Sequence, residues 1–515
     1  MRRIAIGALL LALGLSVVGP RWADAQEGKR GGTLRVATIG EPPGLDTMLP
    51  YGILAQHIGK HVFENLFTFD ANWRPVPMLA ESYTTSADGK VYTIRLRRGV
   101  RFHDGSAFDA ADVVASLERW VQVESTAKSL LAPNLESIRA VDPQTVEVKL
   151  KAPSWVLIYM LAADAAPVYP SELVQKFGNQ PIKEYVGTGP YRFVQWLPDR
   201  HIELARFDGY AARNESPSGF AGKRVAYHDT IRFVPVPDVS VRVAGVQSGQ
   251  YDVALDVNPD MYQTLKDDQR VRSLLIRPFG WPFFAMNKAQ GLFADVRLRR
   301  AFLAALDMDQ LMAAGFGDPA LYAVNGSIYP KEIADWYTTA GTEPYNQKAT
   351  ARAKQLLAEA GYDGKPLRII TSRQYDFLYK ISLVAAQQAR AAGFNVDLQV
   401  VEWATLVERR QKPDQYEIFV TFNSMSPAPP LYQLWLFEFW PGWWKNEEKD
   451  RLLARFGAAT DPAIRAEIWR NIQALIWSEV PIVKVGDFFG YALASPKLEG
   501  VQETYTMPFW NTWTR

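Results

Sequence analysis

From Thr33 to Thr38 the chain reads Thr-Leu-Arg-Val-Ala-Thr, alternating with the period of two that a strand requires. Gly40-Glu-Pro-Pro-Gly44-Leu45-Asp46 follows as a rigid, turn-rich loop. Between about Phe69 and Tyr185, short alternating runs such as Val91–Leu96 and Thr145–Leu150 are separated by turn residues, which predicts a small α+β insert. Strand Thr230–Val234, helix Val239–Gln247 and strand Tyr251–Leu255 then form a βαβ unit. The C-terminal half repeats this grammar. Helix Lys348–Ala360 stops at Gly361, strand Pro366–Thr371 follows, and helix Asp376–Ala392 closes on Gly393. Strand Asn395–Trp403, helix Thr405–Lys412 before Pro413, and strand Tyr416–Phe422 complete a βαβαβ pattern, hence a mostly parallel sheet with helices on its faces. Two α/β regions facing each other make a cleft. The chain has no short internal repeat and no low-complexity tract.

Composition narrows the class. At 515 residues, with 48% hydrophobic and 22% charged residues, the chain is a folded protein of two or three domains. Residues 1–25 run from two arginines through an apolar stretch, Ile4–Val18, to Gly19-Pro20 and Ala23-Asp-Ala25, which is the order of a secretory signal cleaved after Ala25. The apolar stretch is short for a membrane span. No cysteine follows it, so a lipid-anchored form is not expected, and the exported protein is placed in a periplasm. With no cysteine at all, disulfides, thiolate catalysis and cysteine-ligated metals are excluded. Cleavage removes three of the 57 basic and one of the 55 acidic residues, leaving a formally neutral chain with no general field for nucleic acid.

The stretch Arg101–Trp120, Arg-Phe-His-Asp-Gly-Ser-Ala-Phe-Asp-Ala-Ala-Asp-Val-Val-Ala-Ser-Leu-Glu-Arg-Trp, sets a histidine beside three aspartates in a chain with five histidines. Asp104-Gly105 is a tight-turn dipeptide, and Asp109 with Asp112 fits a capping box before the apolar-periodic Val113, Val114, Leu117 and Trp120. Both aspartates then have structural roles. His57 and His61 stand four apart in a predicted helix but lack the glutamate of a zinc-protease motif, so no metal and no cofactor is expected.

Several ordered motifs carry a resemblance. Leu79-Ala-Glu-Ser-Tyr83, Asp88-Gly89, Tyr92–Gly105 and Ala111–Arg119, with Gly187-Thr-Gly-Pro-Tyr-Arg192, Val296–Ala301, Ala305-Leu-Asp307, Ala353–Tyr362 and Glu479-Val-Pro-Ile482, resemble the family 5 extracellular solute-binding proteins. These are the peptide-, oligopeptide- and nickel-binding components of ABC importers. The resemblance implies an α/β, two-lobed periplasmic binding protein clamshell of type II, with an extra small α+β domain inserted in lobe I. The expected parts are lobe I at 31–68, 185–277 and 488–515, the inserted domain at 69–184, and lobe III at 278–487. Two strands would cross between the lobes near Pro278–Phe283 and Val485–Tyr491. The partners implied are a peptide or small-molecule ligand and permease subunits in the inner membrane; a monomer is expected.

Open α/β sheets bind ligands beyond the carboxyl ends of their strands. Those ends are Glu41–Asp46 and Asp256–Pro259 in lobe I and Phe422–Pro427 in lobe III. The expected ligand contacts are Glu41, Asn258, Trp281, Phe422, Asn423, Ser424, Met425 and Ser426. Trp440 and Trp443, in the tryptophan-rich stretch Leu434–Trp444, either line the cleft or pack as core. Peptide binders of the family tend to carry in lobe III a tryptophan followed by an aspartate that pairs with the peptide ammonium. Here the corresponding stretch, Phe422–Ser426, has no acid before Glu438, which leaves Glu41 as the substitute anchor. Lobe III contains no histidine, so nickel is disfavoured.

The leading reading is a non-enzymatic receptor for a peptide or peptide-sized polar solute. An opine, an oligosaccharide or an aromatic compound is the alternative ligand. A hydrolase using Ser424 or Ser426 lacks a Gly-x-Ser-x-Gly elbow and a nearby histidine. A chaperone-like or adhesion role for an apolar cleft is the third class.

Overall fold

A computed structural model describes residues 28–424 and 428–515. The leader at 1–25 lies outside the described residues, as do Met425 and Ser426.

The alternation read at Thr33–Thr38 forms a strand whose Leu34 and Val36 are wholly buried. It pairs in parallel with Thr230–Pro235 on one side and Val253–Ala254 on the other. Between these two runs the helix Val239–Ser248, with Asp238 accepting a bond from the Val241 N–H, ends at Gly249 with φ +78°. The last strand is shorter than the predicted Tyr251–Leu255. Tyr251 N bonds to Gly245 O at 3.0 Å, closing the helix end, and Asp252 turns to pair with Arg35.

In the C-terminal half Leu367–Thr371 lies parallel to both Val396–Val400 and Ile418–Ser424, as the βαβαβ pattern predicts. Helix Thr350–Ala360 stops where Gly361 takes φ +68° and its N–H returns to Ala358 O. The predicted helix 405–412 is displaced to Trp403–Arg409. Trp403 is pulled into it because its N–H bonds to the Gln374 side chain and its ring packs on Tyr375.

The two regions share one hydrogen-bonded sheet through two long antiparallel strands, Arg272–Met286 and Asp487–Ala494. Arg272–Ile276 pairs with Gly490–Ala494 beside the first region, whereas Gly280–Met286 pairs with Ile418–Ser424 of the second. The register shifts between Ile276 and Gly280. A Cβ on Gly280 would stand 2.6 Å from Asn423 O and 2.8 Å from the Phe488 ring, so only glycine fits that approach.

A separate four-stranded antiparallel sheet, in the order 80–85, 91–96, 145–150, 135–142, carries the helix Ala110–Val123. Its capping box is formed: Ala111 N donates to Asp109 at 2.7 Å and Asp109 N to Asp112 at 3.0 Å. The other Asp112 oxygen accepts from Ser171 N, docking a second helix start. His103 clasps the Gly187–Gly189 segment, accepting from Gly187 N at Nδ1 and contacting Gly189 O at 3.0 Å through Nε2. Arg119 forms an ion pair at 2.6 Å with Asp46, both fully buried, and Tyr169 OH and Ile182 N complete the carboxylate's bonds. The insert is thereby fastened to the loop that follows the Thr33–Thr38 strand.

Candidate functional site

Between the first region with its insert and the second lies a cavity of about 390 Å³. Helix Gly52–Val62 supplies Ile53 and Gln56, the end of helix Ala110–Val123 supplies Trp120 and then Glu124, and the turn after helix Val156–Ala162 supplies Asp164. The facing wall is Asn423 and Ser424 at the carboxyl end of strand Ile418–Ser424, with Tyr432 and Gln433 from the turn beyond it. Tyr505 of the C-terminal segment closes one side.

The wall on the second region is pre-oriented. Gln433 Oε1 accepts from the Asn423 amide and from Trp435 Nε1 at 3.1 Å, while its own amide donates to Tyr329 OH at 3.2 Å. Tyr329 OH in turn donates to Ala428 O at 2.9 Å. Such a buried network fixes the side-chain amides that face the cavity.

On the opposite side, Asp164 is ion-paired to Lys60 and accepts from Tyr505 OH at 2.7 Å. Burial pulls the Lys60 pKa below the usual lysine range, with Asp164 acting in the other direction. Behind this wall a space of about 20 Å³, enough for about one water, is bounded by Lys60, Glu64, Asp164 and Arg224. Glu64 there pairs with Arg224 at 3.0 Å and accepts from Tyr210 and Thr188. Tyr432 is raised well above the ordinary tyrosine pKa, first by burial and then by the charge of Glu124.

Asn423 and Ser424, expected from the strand end, line this cavity. The other described candidates sit elsewhere. Glu41 accepts from Trp196 Nε1 at 2.9 Å and from Asp199 N at 3.2 Å, anchoring the 191–206 hairpin. Asn258 caps the turn that begins at Pro259 by accepting from Asp260 N. Trp281, opposite Asn423 in the strand pair, is buried against Phe283 and Trp435. Phe422 joins a ring cluster with Tyr375, Phe377 and Phe488. Trp440 packs on Phe283 and Phe419, and Trp443, at φ +48°, stacks on Tyr416. The tryptophan-rich stretch therefore covers the sheet of its own lobe. His57 and His61 accept from Met507 N and Phe509 N, strapping the C-terminal segment onto helix Gly52–Val62.

Trp120, Glu124, Thr126, Tyr432, Gln433 and Tyr505 are cavity residues that sequence reasoning missed. Glu124 had a local signal: it is the C-cap of its helix, where a carboxylate opposes the helix dipole. Trp120 read only as part of the apolar face of that helix, Thr126 had no signal, and Tyr432, Gln433 and Tyr505 come from distant segments of the chain.

Two lobes joined by paired strands, with a polar cavity walled from both sides, define a hinged binding protein. The family model "Bacterial extracellular solute-binding proteins, family 5 Middle" matches residues 74–444, and the chain belongs to that family. It is 27% identical over 472 residues to a probable peptide ABC transporter periplasmic-binding protein of Sinorhizobium fredii, covering 87% of each chain. It is 28% identical over 457 residues to a glutathione-binding protein of Salmonella choleraesuis, covering 84% of this chain and 85% of the relative. Among solved structures, the ABC transporter substrate-binding protein CtaP of Listeria monocytogenes superposes with a TM-score of 0.82 at 21% identity, covering 94% of this chain and 100% of that one. That likeness establishes the two-lobed fold.

Proposed function

We propose that this chain is the periplasmic receptor of an ABC importer, capturing a peptide or peptide-sized polar solute between its lobes and presenting the closed form to the membrane permease. The observation that carries the reading is the cavity of about 390 Å³ walled by Trp120, Glu124 and Thr126 on one side and by Asn423, Ser424, Tyr432 and Gln433 on the other. A ligand touching both walls stabilises closure by that differential contact. The relatives named for peptide and glutathione binding support a peptide-sized ligand. The lobe limits given above, with the hinge at the register shift near Ile276–Gly280, fit this motion.

Membership of a family of solute-binding proteins supports a non-catalytic role. Among the described residues the cavity wall carries no histidine, lysine or arginine; its titratable groups are Glu124, Asp164, Tyr432 and Tyr505. The secretory pattern of residues 1–25 supports export of the mature chain to the periplasm, and its formal neutrality offers no general field for nucleic acid; a monomer is the expected state.

The test is a thermal-shift screen of the mature protein against di- to pentapeptides, opines, oligosaccharides and aromatic acids. A ligand at a hundred times its Kd adds about 2.7 kcal/mol to stability and raises the midpoint. Peptides are expected to do so. A shift confined to opines, sugars or aromatics overturns the peptide assignment and keeps the receptor; saturating compounds of every class without a shift overturn both.

A further inference from the structure

The cavity is lopsided in charge. Glu124 and Asp164 reach its wall, and no basic residue lines it among those described. Asp164 is already compensated by Lys60, Tyr505 OH and Thr506 Oγ1. Glu124 is different. One of its oxygens accepts from Ala127 N at 2.6 Å, and no cationic side chain pairs with it among the described residues.

Two donors stand beside it without partners. The indole N–H of Trp120, one helical turn earlier, and the hydroxyl of Tyr432, from the opposite wall, are buried, line the same cavity, and make no hydrogen bond among the described residues. Buried polar groups are nearly always paired, with protein or with solvent, so these two donors are available for a ligand to take. The carboxylate calls for a cation, and the two donors call for an acceptor close to that cation. An ammonium group with a neighbouring carbonyl oxygen, as at the amino end of a peptide, supplies both.

We propose that Glu124, from the inserted domain, anchors the ammonium of an amine-bearing ligand, with Trp120 and Tyr432 holding the adjacent oxygen, and that the cleft offers no ion pair to a ligand carboxylate. This rests on the cavity being the ligand site. It deepens that reading by naming a selecting group: the counter-charge that Phe422–Ser424 lacks comes from the other side of the cleft, and acidic ligands are disfavoured by the uncompensated Glu124 carboxylate.

The experiment is calorimetric titration of the mature protein with alanine-based di- to pentapeptides, each free, N-acetylated and C-amidated. Free and C-amidated forms of the best length are expected to bind within a few-fold of each other, and the N-acetylated form more than about tenfold weaker. Glu124→Gln keeps an acceptor for Ala127 N and is expected to weaken the free peptide by more than about tenfold, with the melting temperature of the unliganded protein nearly unchanged. Glu41→Gln, outside the cavity, is expected to bind as the parent does. Equal binding of acetylated peptide, loss of binding on amidation, or full affinity in Glu124→Gln overturns the assignment while the receptor stands. If no form of any length binds, the assignment and the peptide reading fail together. Comparison of the three peptide forms on the parent protein decides the matter even if the variant folds poorly.

Discussion

At the scale of single residues, His57 and His61 act by staying neutral. Burial brings His57 to about 4 and His61 to about 3, in each case mainly because a charged ring would lose its hydration. In that neutral state each ring accepts a backbone N–H from the C-terminal segment. Between pH 6.5 and about 4 the unfolded chain binds protons that the folded chain refuses, so stability is complete above pH 6.5 and falls as the pH drops through that window. The two rings together are expected to withdraw roughly 3 kcal/mol by pH 5.5. Melting midpoints measured from pH 7.5 to 4.5 check this. His57→Gln, which keeps an acceptor but not a titrating ring, is expected to start lower and fall less steeply; an unchanged slope would remove His57 as a source.

The same scale shows how residue type misleads. Glu41 and Asn258 were legible as polar groups at strand ends, yet Glu41 satisfies indole and backbone donors of the distant 191–206 hairpin and Asn258 a backbone donor of its own turn. Sequence fixes which atoms can bond, not which partner arrives first. Asp109 and Asp112 were legible in full because a capping box needs only residues within three positions of one another.

At the scale of elements, periodicity placed most strands and helices to within two or three residues, since alternation and glycine stops are local properties. The departures have tertiary causes, such as Trp403 being drawn into its helix by Gln374 and Tyr375. The strand pair between the lobes is the element on which function turns. Gly280 sits where the register shifts and where neighbouring strands approach it on two sides. Gly280→Ala is expected to lower the melting midpoint by several degrees, because a Cβ there forces apart backbone and ring atoms at a cost of about 1–3 kcal/mol. A midpoint within one degree of the parent would show that the strands yield freely, contrary to the close packing described. By contrast, methyl addition at the exposed Gly364 meets no neighbour within 4 Å, although its φ of +82° still favours glycine.

At the scale of the whole molecule, the lobes are held together away from the cavity as well. Trp155 of the insert donates to Phe456 O at 3.0 Å, lies 5.6 Å from Trp336, and has Arg465 over its ring at 4.3 Å. Arg74 makes a paired contact with Asp335 nearby, though its exposure makes that bridge worth little. Opening of the proposed hinge would separate the insert from the second lobe and break these contacts. Removing them shifts the population toward the open form and lowers apparent affinity without touching the ligand. Trp155→Ala is therefore expected to weaken ligand binding by about tenfold, the equivalent of one aromatic pair and one hydrogen bond. Small-angle scattering is the direct check: ligand is expected to shrink the radius of gyration of the parent, and the variant to need more ligand for the same change. Identical titrations would assign Trp155 to packing alone.

The sequence by itself determined the local structure and, through ordered motifs spanning the chain, the family and its two-lobed plan. Hydrophobic period, caps and turn residues act over a few positions and are written where they act. Only the tertiary structure decided the site. Glu124, Trp120 and Tyr432 lie more than three hundred residues apart at the extremes and meet because the Asp46–Arg119 pair fastens the insert to one lobe while paired strands swing the other lobe across it. Proximity between distant segments is a property of packing, and no local pattern encodes which polar groups will be left without a partner once the core has closed.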